Sequence, residues 1–355
     1  MIDIKYFGFG TPPHGTIDML TSMNFNRPLT FYIIDPLTGS SLPYDEISQL
    51  DTSTVFVIVQ TGEGHGHREF DILLHQLELA GVPADHITIY SGCLYDPASP
   101  VNNIGTIVPH VGVTLDLTGG NYASIEPTHH YVCLNRMPRW ERYEIVKTLL
   151  DRRLDKFGKI SYASAFTPGE FAANFDTASY KPTSHVTDEY RHLFPMYIDQ
   201  VVGFDQGYKI IPAVAGAMFN VVTESAYETV TTDIIGQSLP TLTEKTFKCF
   251  IAGQIPILVS AQYTVRAARE FGFDMFDDVV DHDSYDACSD PAKRIDRIAD
   301  QIERICKLTL TELVELKQQL QPRLEQNFAR LKYLAYNNDF DRPRWQQYFE
   351  QVGMV

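Results

Sequence analysis

Residues 242–260 read LTEKTFKCFIAGQIPILVS. Thr243 is placed to cap a helix, an apolar helical run follows, Gly253 stops it, and IPILVS (255–260) reads as a buried strand. AMFNVVTES (217–225), just upstream, is strand-like as well. Strand, helix and strand in close succession imply a parallel sheet with helices packed on it. The front of the helix is less ordinary. Glu244 suits a helix N-terminus, where free N–H groups and a positive potential favour anions. Lys245 does not, unless an anion is bound there.

The alternation extends outward from this stretch. HYVCLN (130–135) and KISYAS (159–164) read as strands, with a helix from about 140 to 154 between them. TFYII (30–34), TVFVIVQ (54–60) and HITIY (86–90) read the same way, and Phe70, Leu73, Leu74 and Leu77 recur at helical spacing between the last two. Residues 166–210 show no clean period and read as a long loop with short helices. From Pro291 the chain is helical. Ile295, Ile298, Ile302 and Ile305 share one face at core spacing, a second helix starts at Thr311, and DRPRWQQYFEQ (341–351) forms a last short one. A stretch rich in Pro, Gly, Asn and Thr, from about 96 to 128, separates two alternating regions. The expected architecture is α/β, with two tandem, doubly wound Rossmann-like domains at 1–127 and 128–355. The second ends in a helical C-terminal region.

Composition narrows the function classes. The 29 Lys and Arg against 45 Asp and Glu give a net charge of −16. A field of that sign disfavours non-specific nucleic-acid binding and anionic membranes, though it leaves room for a local basic pocket. The apolar runs are too short to span a bilayer, and MIDIKYFG lacks the layout of a signal peptide. Cys93, Cys133, Cys249, Cys288 and Cys306 are scattered without a C-x-x-C pair. That pattern argues for a reducing compartment, hence a cytoplasmic location, and against a disulfide framework or a cysteine-based zinc site.

Open α/β sheets bind ligands beyond the carboxyl ends of their strands. Three polar clusters are expected at that edge. NRMPRWER (135–142) follows one strand, Thr223-Glu224-Ser225 follows another, and Thr243-Glu244-Lys245 with Lys248 opens the helix. Lys245 and Lys248 are three residues apart and share a face. A diphosphate over this helix end, held also by an arginine of the first cluster, accounts for Lys245, and Glu244 can then take ribose hydroxyls. A lysine that simply points to solvent is the plain alternative.

The ordered set of Asn135 followed by an arginine, the Glu224–Ser225 pair, and T-E-K with a following G-x-x-P-I resembles the donor-binding half of α1,3-fucosyltransferases and related inverting glycosyltransferases of GT-B fold. It covers roughly residues 130–275. The resemblance implies that Lys245 and Arg142 contact a donor diphosphate, with Arg139 as second choice, and that Glu244 contacts the ribose. Glu224 and Ser225 match the family's E-N-S element without its Asn. A GDP-linked sugar donor follows from the resemblance, with UDP as the alternative. The acceptor it implies is a cell-envelope or capsular glycan; a nucleic-acid base or a protein is the other option.

Inverting transfer needs a base for the acceptor hydroxyl and positive charge for the leaving group. Arg142, Lys245 and Lys248 can supply that charge in place of a metal, so no cofactor is required. The base is expected from the N-terminal domain, where TGEGHGH (61–67) follows strand 54–60 and its glycines allow close ligand approach. Glu63 is the first candidate and His65 the next, since its pKa suits proton transfer near neutrality. His14 in GTPPHG is a further candidate. Two other functions compete. His65 and His67 could hold zinc in a metal-dependent hydrolase, or the protein could bind nucleotides or sugars without catalysis. Asp281-x-Asp283 resembles a metal-binding D-x-D but lies in an acidic run of the kind that is usually solvated. His129 and His130 open a strand and read as structural.

Overall fold

A computed structural model describes residues 2–7, 14–34, 47–49, 51–61, 74–91, 102–105, 122–135, 139–162, 188–193, 196, 212–224, 227, 240, 242–336 and 342–355. The chain divides into two compact units, one comprising Met1–Gly112 with Tyr333–Val355 and the other Val113–Lys332.

The first unit holds β1 (Ile2–Phe7), α1 (His14–Thr21), β2 (Leu29–Ile34), β3 (Val55–Thr61), α2 (74–79), β4 (Ile87–Ser91) and β5 (Asn102–Gly105). Its sheet is parallel throughout, in the order β1-β2-β3-β4-β5. Strands β2 and β3 are apolar on both faces, as strands covered on two sides must be. Tyr32, Ile34, Val55, Val57 and Val59 pack with Leu77, Ala80 and Val82 on one side. Phe31, Ile33, Phe56 and Ile58 pack on the other with Met19, Leu20, Trp345, Tyr348 and Phe349. The last three residues belong to the C-terminal helix Arg342–Gln351, which is therefore part of this unit's core. Phe349 meets the Phe25, Phe31 and Phe56 rings at 5.0, 5.7 and 5.7 Å, and the Tyr348 hydroxyl donates to Asp85 O at 2.6 Å.

The compact units meet at 112/113 and again near residue 333, and the last helix joins the first unit because its apolar face finds its partners on β2 and β3. Among the described residues this sheet runs in chain order, without a reversal of strand order.

The second unit does reverse. Strands β6 (His129–Asn135), β7 (Gly158–Tyr162), β8 (Ala217–Thr223) and β9 (Ile255–Val259) form a parallel sheet ordered β7-β6-β8-β9. Its helices among the described residues are α3 (Trp140–Asp151), α4 (Pro212–Ala215), α5 (Glu244–Ile251), α6 (Thr264–Glu270), α7 (Asp283–Asp286), α8 (Pro291–Ile305) and α9 (Leu310–Tyr336), whose residues from Tyr333 on count with the first unit. Asp290 caps α8 by accepting from Lys293 N at 3.0 Å, Pro291 starts it, and its four isoleucines are buried. Gly253 ends α5 with φ +60°, and a Cβ there would lie 2.4 Å from the Ala123 backbone, so only glycine fits. Pro256 is tolerated because β9 is an edge strand. His130 is structural: its Nε2 lies 2.7 Å from Leu308 O and its ring packs against Phe157. No helix among the described residues is long and apolar enough to cross a membrane.

Candidate functional site

From β6 the chain passes to β7 on one side and then back to β8 on the other, so the carboxyl ends of β6 and β8 flank the point where strand order reverses. A crevice at such a point is where open α/β sheets take ligands. The two strand ends are tied together: Thr223 Oγ1 donates to Asn135 Oδ1 at 2.7 Å, and Asn135 Nδ2 donates to Cys133 Sγ at 3.3 Å. Asn135 and Thr223 are each buried, so they brace the edge and do not face solvent.

The residue after β8 reaches the start of α5. Glu224 is 0% exposed, and its carboxylate accepts from Thr243 N, Thr243 Oγ1 and Thr246 Oγ1. Its oxygens are spent inside the protein, on the first turn of α5. Thr243 is the N-cap, and its hydroxyl oxygen accepts from Lys245 N at 3.4 Å and Lys245 Nζ at 3.0 Å. Lys245 Nζ also lies 3.0 Å from Glu244 Oε1, with the two side chains 28% and 24% exposed. Burial opposes ionisation of Glu244, but Lys245, by charge and hydrogen bond, and then Lys248 outweigh it and hold the carboxyl below its ordinary range. Burial pulls Lys248 down, Glu244 partly offsets this, and Lys245 adds to it. Glu244, Lys245 and Lys248 therefore form one coupled, partly exposed charge group on the first two turns of a helix.

The two candidate arginines differ in burial. Arg139 is the N-cap of α3, half-buried and making no side-chain cap bond, whereas Arg142 is 4% exposed. The reason is helical phase. Arg142 lies one turn before Ile145 and Val146 and two before Leu149, all buried, so it points inward. Its Nε is 3.9 Å from Glu141 Oε1, and burial raises the Glu141 pKa although Arg142 opposes it. Of the two arginines, Arg139 is the one with a solvent-facing surface at this edge.

Helix α6, after β9, has its N-terminus already filled: the Asp286 carboxylate accepts from Val265 N at 2.9 Å and Arg266 N at 3.0 Å. Nothing local in the sequence marks that role, since the cap comes from 21 residues downstream. The D-x-D pair is accounted for structurally. Asp281 accepts from Ser284 N at 3.1 Å, and Asp283 pairs with Arg269 at 2.9 Å. Among the described residues no group of three or more His, Cys, Asp or Glu is arranged to hold a metal. Ser225, Glu63, His65 and His67 lie outside the described residues; His14 opens α1.

No protein-family model matches the chain, and no curated protein sequence does. Among solved structures, the spinosyn rhamnosyltransferase SpnG aligns with a TM-score of 0.32 and 10% sequence identity, over 86% of this chain and 72% of that one. A likeness of that size leaves the family unassigned and lends nothing to the fucosyltransferases in particular.

Proposed function

We propose that the protein is a glycosyltransferase whose second unit binds a nucleotide-diphosphate sugar, GDP- or UDP-linked. The observation that carries this reading is the Glu244–Lys245–Lys248 group on a helix N-terminus, at the carboxyl edge of a reversing parallel sheet. Two lysines at a helix N-terminus suit phosphate oxygens, and Glu244, kept ionised by its neighbours, suits ribose hydroxyls. Lys245, Lys248 and Arg139 would then stabilise the charge that develops on the departing nucleotide, a role a metal ion plays elsewhere. Transfer is proposed to proceed with inversion, onto a glycan hydroxyl deprotonated by Glu63 or His65.

Titration calorimetry with GDP and UDP tests the reading. The wild-type protein should bind one of them, and Lys245→Ala should weaken that binding by roughly tenfold or more, as expected for a charge-assisted contact. Binding of neither nucleotide, or unchanged affinity in Lys245→Ala, refutes it.

A further inference from the structure

We infer that Glu224 is a positioning residue for Lys245, acting through the Thr243 hydroxyl; the inference rests on the donor-site reading above. Glu224 sits beyond the end of β8 and is 0% exposed, so it meets no ligand directly. Its carboxylate takes both threonine hydroxyl protons of T-E-K-T, from Thr243 and Thr246, together with the Thr243 backbone N–H. A hydroxyl has a single proton to give. With that of Thr243 committed to Glu224, its lone pairs are left to accept, and they receive Lys245 N and Lys245 Nζ, the latter at 3.0 Å. The same ammonium reaches Glu244 Oε1 at 3.0 Å. The buried carboxylate thus sets the direction of a hydroxyl, and the hydroxyl holds the lysine head over the helix end. An ammonium already in place gives up less side-chain freedom when a phosphate arrives.

Electrostatics alone predicts the opposite sign. A buried anion beneath an anion site repels the ligand, so removing its charge should tighten binding. Positioning requires that removal to weaken it. The glutamine amide cannot accept from both threonine hydroxyls as the carboxylate does, because one of its two polar atoms is a donor. Glu224→Gln therefore frees or reverses one hydroxyl while keeping shape.

The test is calorimetric affinity for whichever of GDP and UDP the wild-type protein binds. Glu224→Gln and Thr243→Val should each weaken it by about tenfold, Thr243→Ser should stay near wild type, and Glu224→Gln combined with Lys245→Ala should be no weaker than Lys245→Ala alone. Thermal melts report whether Glu224→Gln folds; if it does not, the Thr243→Val and Thr243→Ser pair decides by the same affinities. Unchanged or tighter binding in Glu224→Gln, or losses that multiply in the double variant, overturns the positioning role and leaves the donor site standing. An inert Lys245→Ala overturns both.

Discussion

Lys317 lies on α9 in register with Leu313, Leu320 and Leu324, where a leucine would be expected. It is 3% exposed, and its Nζ is buried without a hydrogen-bond partner among the described residues. Burial brings the pKa from 10.5 down to about 8, with Cys249 acting slightly against the change. The sign follows from proton counting. Between pH 8 and 10.5 the unfolded chain holds a proton on this lysine that the folded protein does not, so stability rises with pH across that window. At pH 7 the folded protein carries the whole penalty, on the order of 3 kcal/mol for about 2.5 pH units. Lys317→Met keeps the length and removes the charge. It should stabilise the second unit by about 3 kcal/mol at pH 7, with the gain fading towards pH 10.5. Because the chain has two units, a single unfolding midpoint mixes them. Hydrogen exchange at the β6 and β8 amides, read by mass spectrometry at pH 7, 8 and 9 against the wild type at the same pH, isolates the relevant one. A variant that is less stable than wild type, or a gain that does not change with pH, would show that the ammonium is well solvated or paired, and the reasoning would fail.

Burial also holds His282 down, to about 4, between Tyr285 and Met275 O. Below pH 6.5 the unfolded state takes a proton that the folded state refuses, so stability should fall by about 3 kcal/mol between pH 6.5 and 4, and urea melts in His282→Gln should lose that slope. Arg142→Ala should cost about 3 to 5 kcal/mol by stranding Glu141, whereas Arg139→Ala should leave the melting temperature in place and reduce nucleotide affinity instead. Phe349→Ala should cost the first unit about 3 to 5 kcal/mol, visible as lost protection in β2 and β3; equal protection would show that the C-terminal helix is dispensable.

Of the nine strands among the described residues seven were readable, most of them from apolar runs buried on both faces, as in VFVIV and IPILV, and β7 from alternation alone. The two that were not, IDIKYF and NNIG, are the outer strands of their sheet and carry Asp3, Lys5, Asn102 and Asn103. The helix start at Thr243 was readable from capping chemistry alone. What no local pattern held were the long-range choices. Glu224 looked like a ligand contact until its partners 19 and 22 residues away came into view. The burial of Arg142 was legible in the sequence, since Ile145, Val146 and Leu149 already fix the buried face of its helix. The attachment of Trp345 and Phe349 to Phe31 and Phe56 spans nearly the whole chain, beyond any periodicity.

That attachment sets an order of events during synthesis. The strands of the first unit leave the ribosome early, but the helix that covers Phe31 and Phe56 follows roughly 240 residues after Gly105, at Arg342. At ordinary translation speeds the wait is roughly 10 to 50 s, during which the inserted second unit can fold to completion. Until residues 342–351 are made, Phe31 and Phe56 lack the aromatic cover of Trp345, Tyr348 and Phe349, and Met19 and Leu20 pack on that face without them.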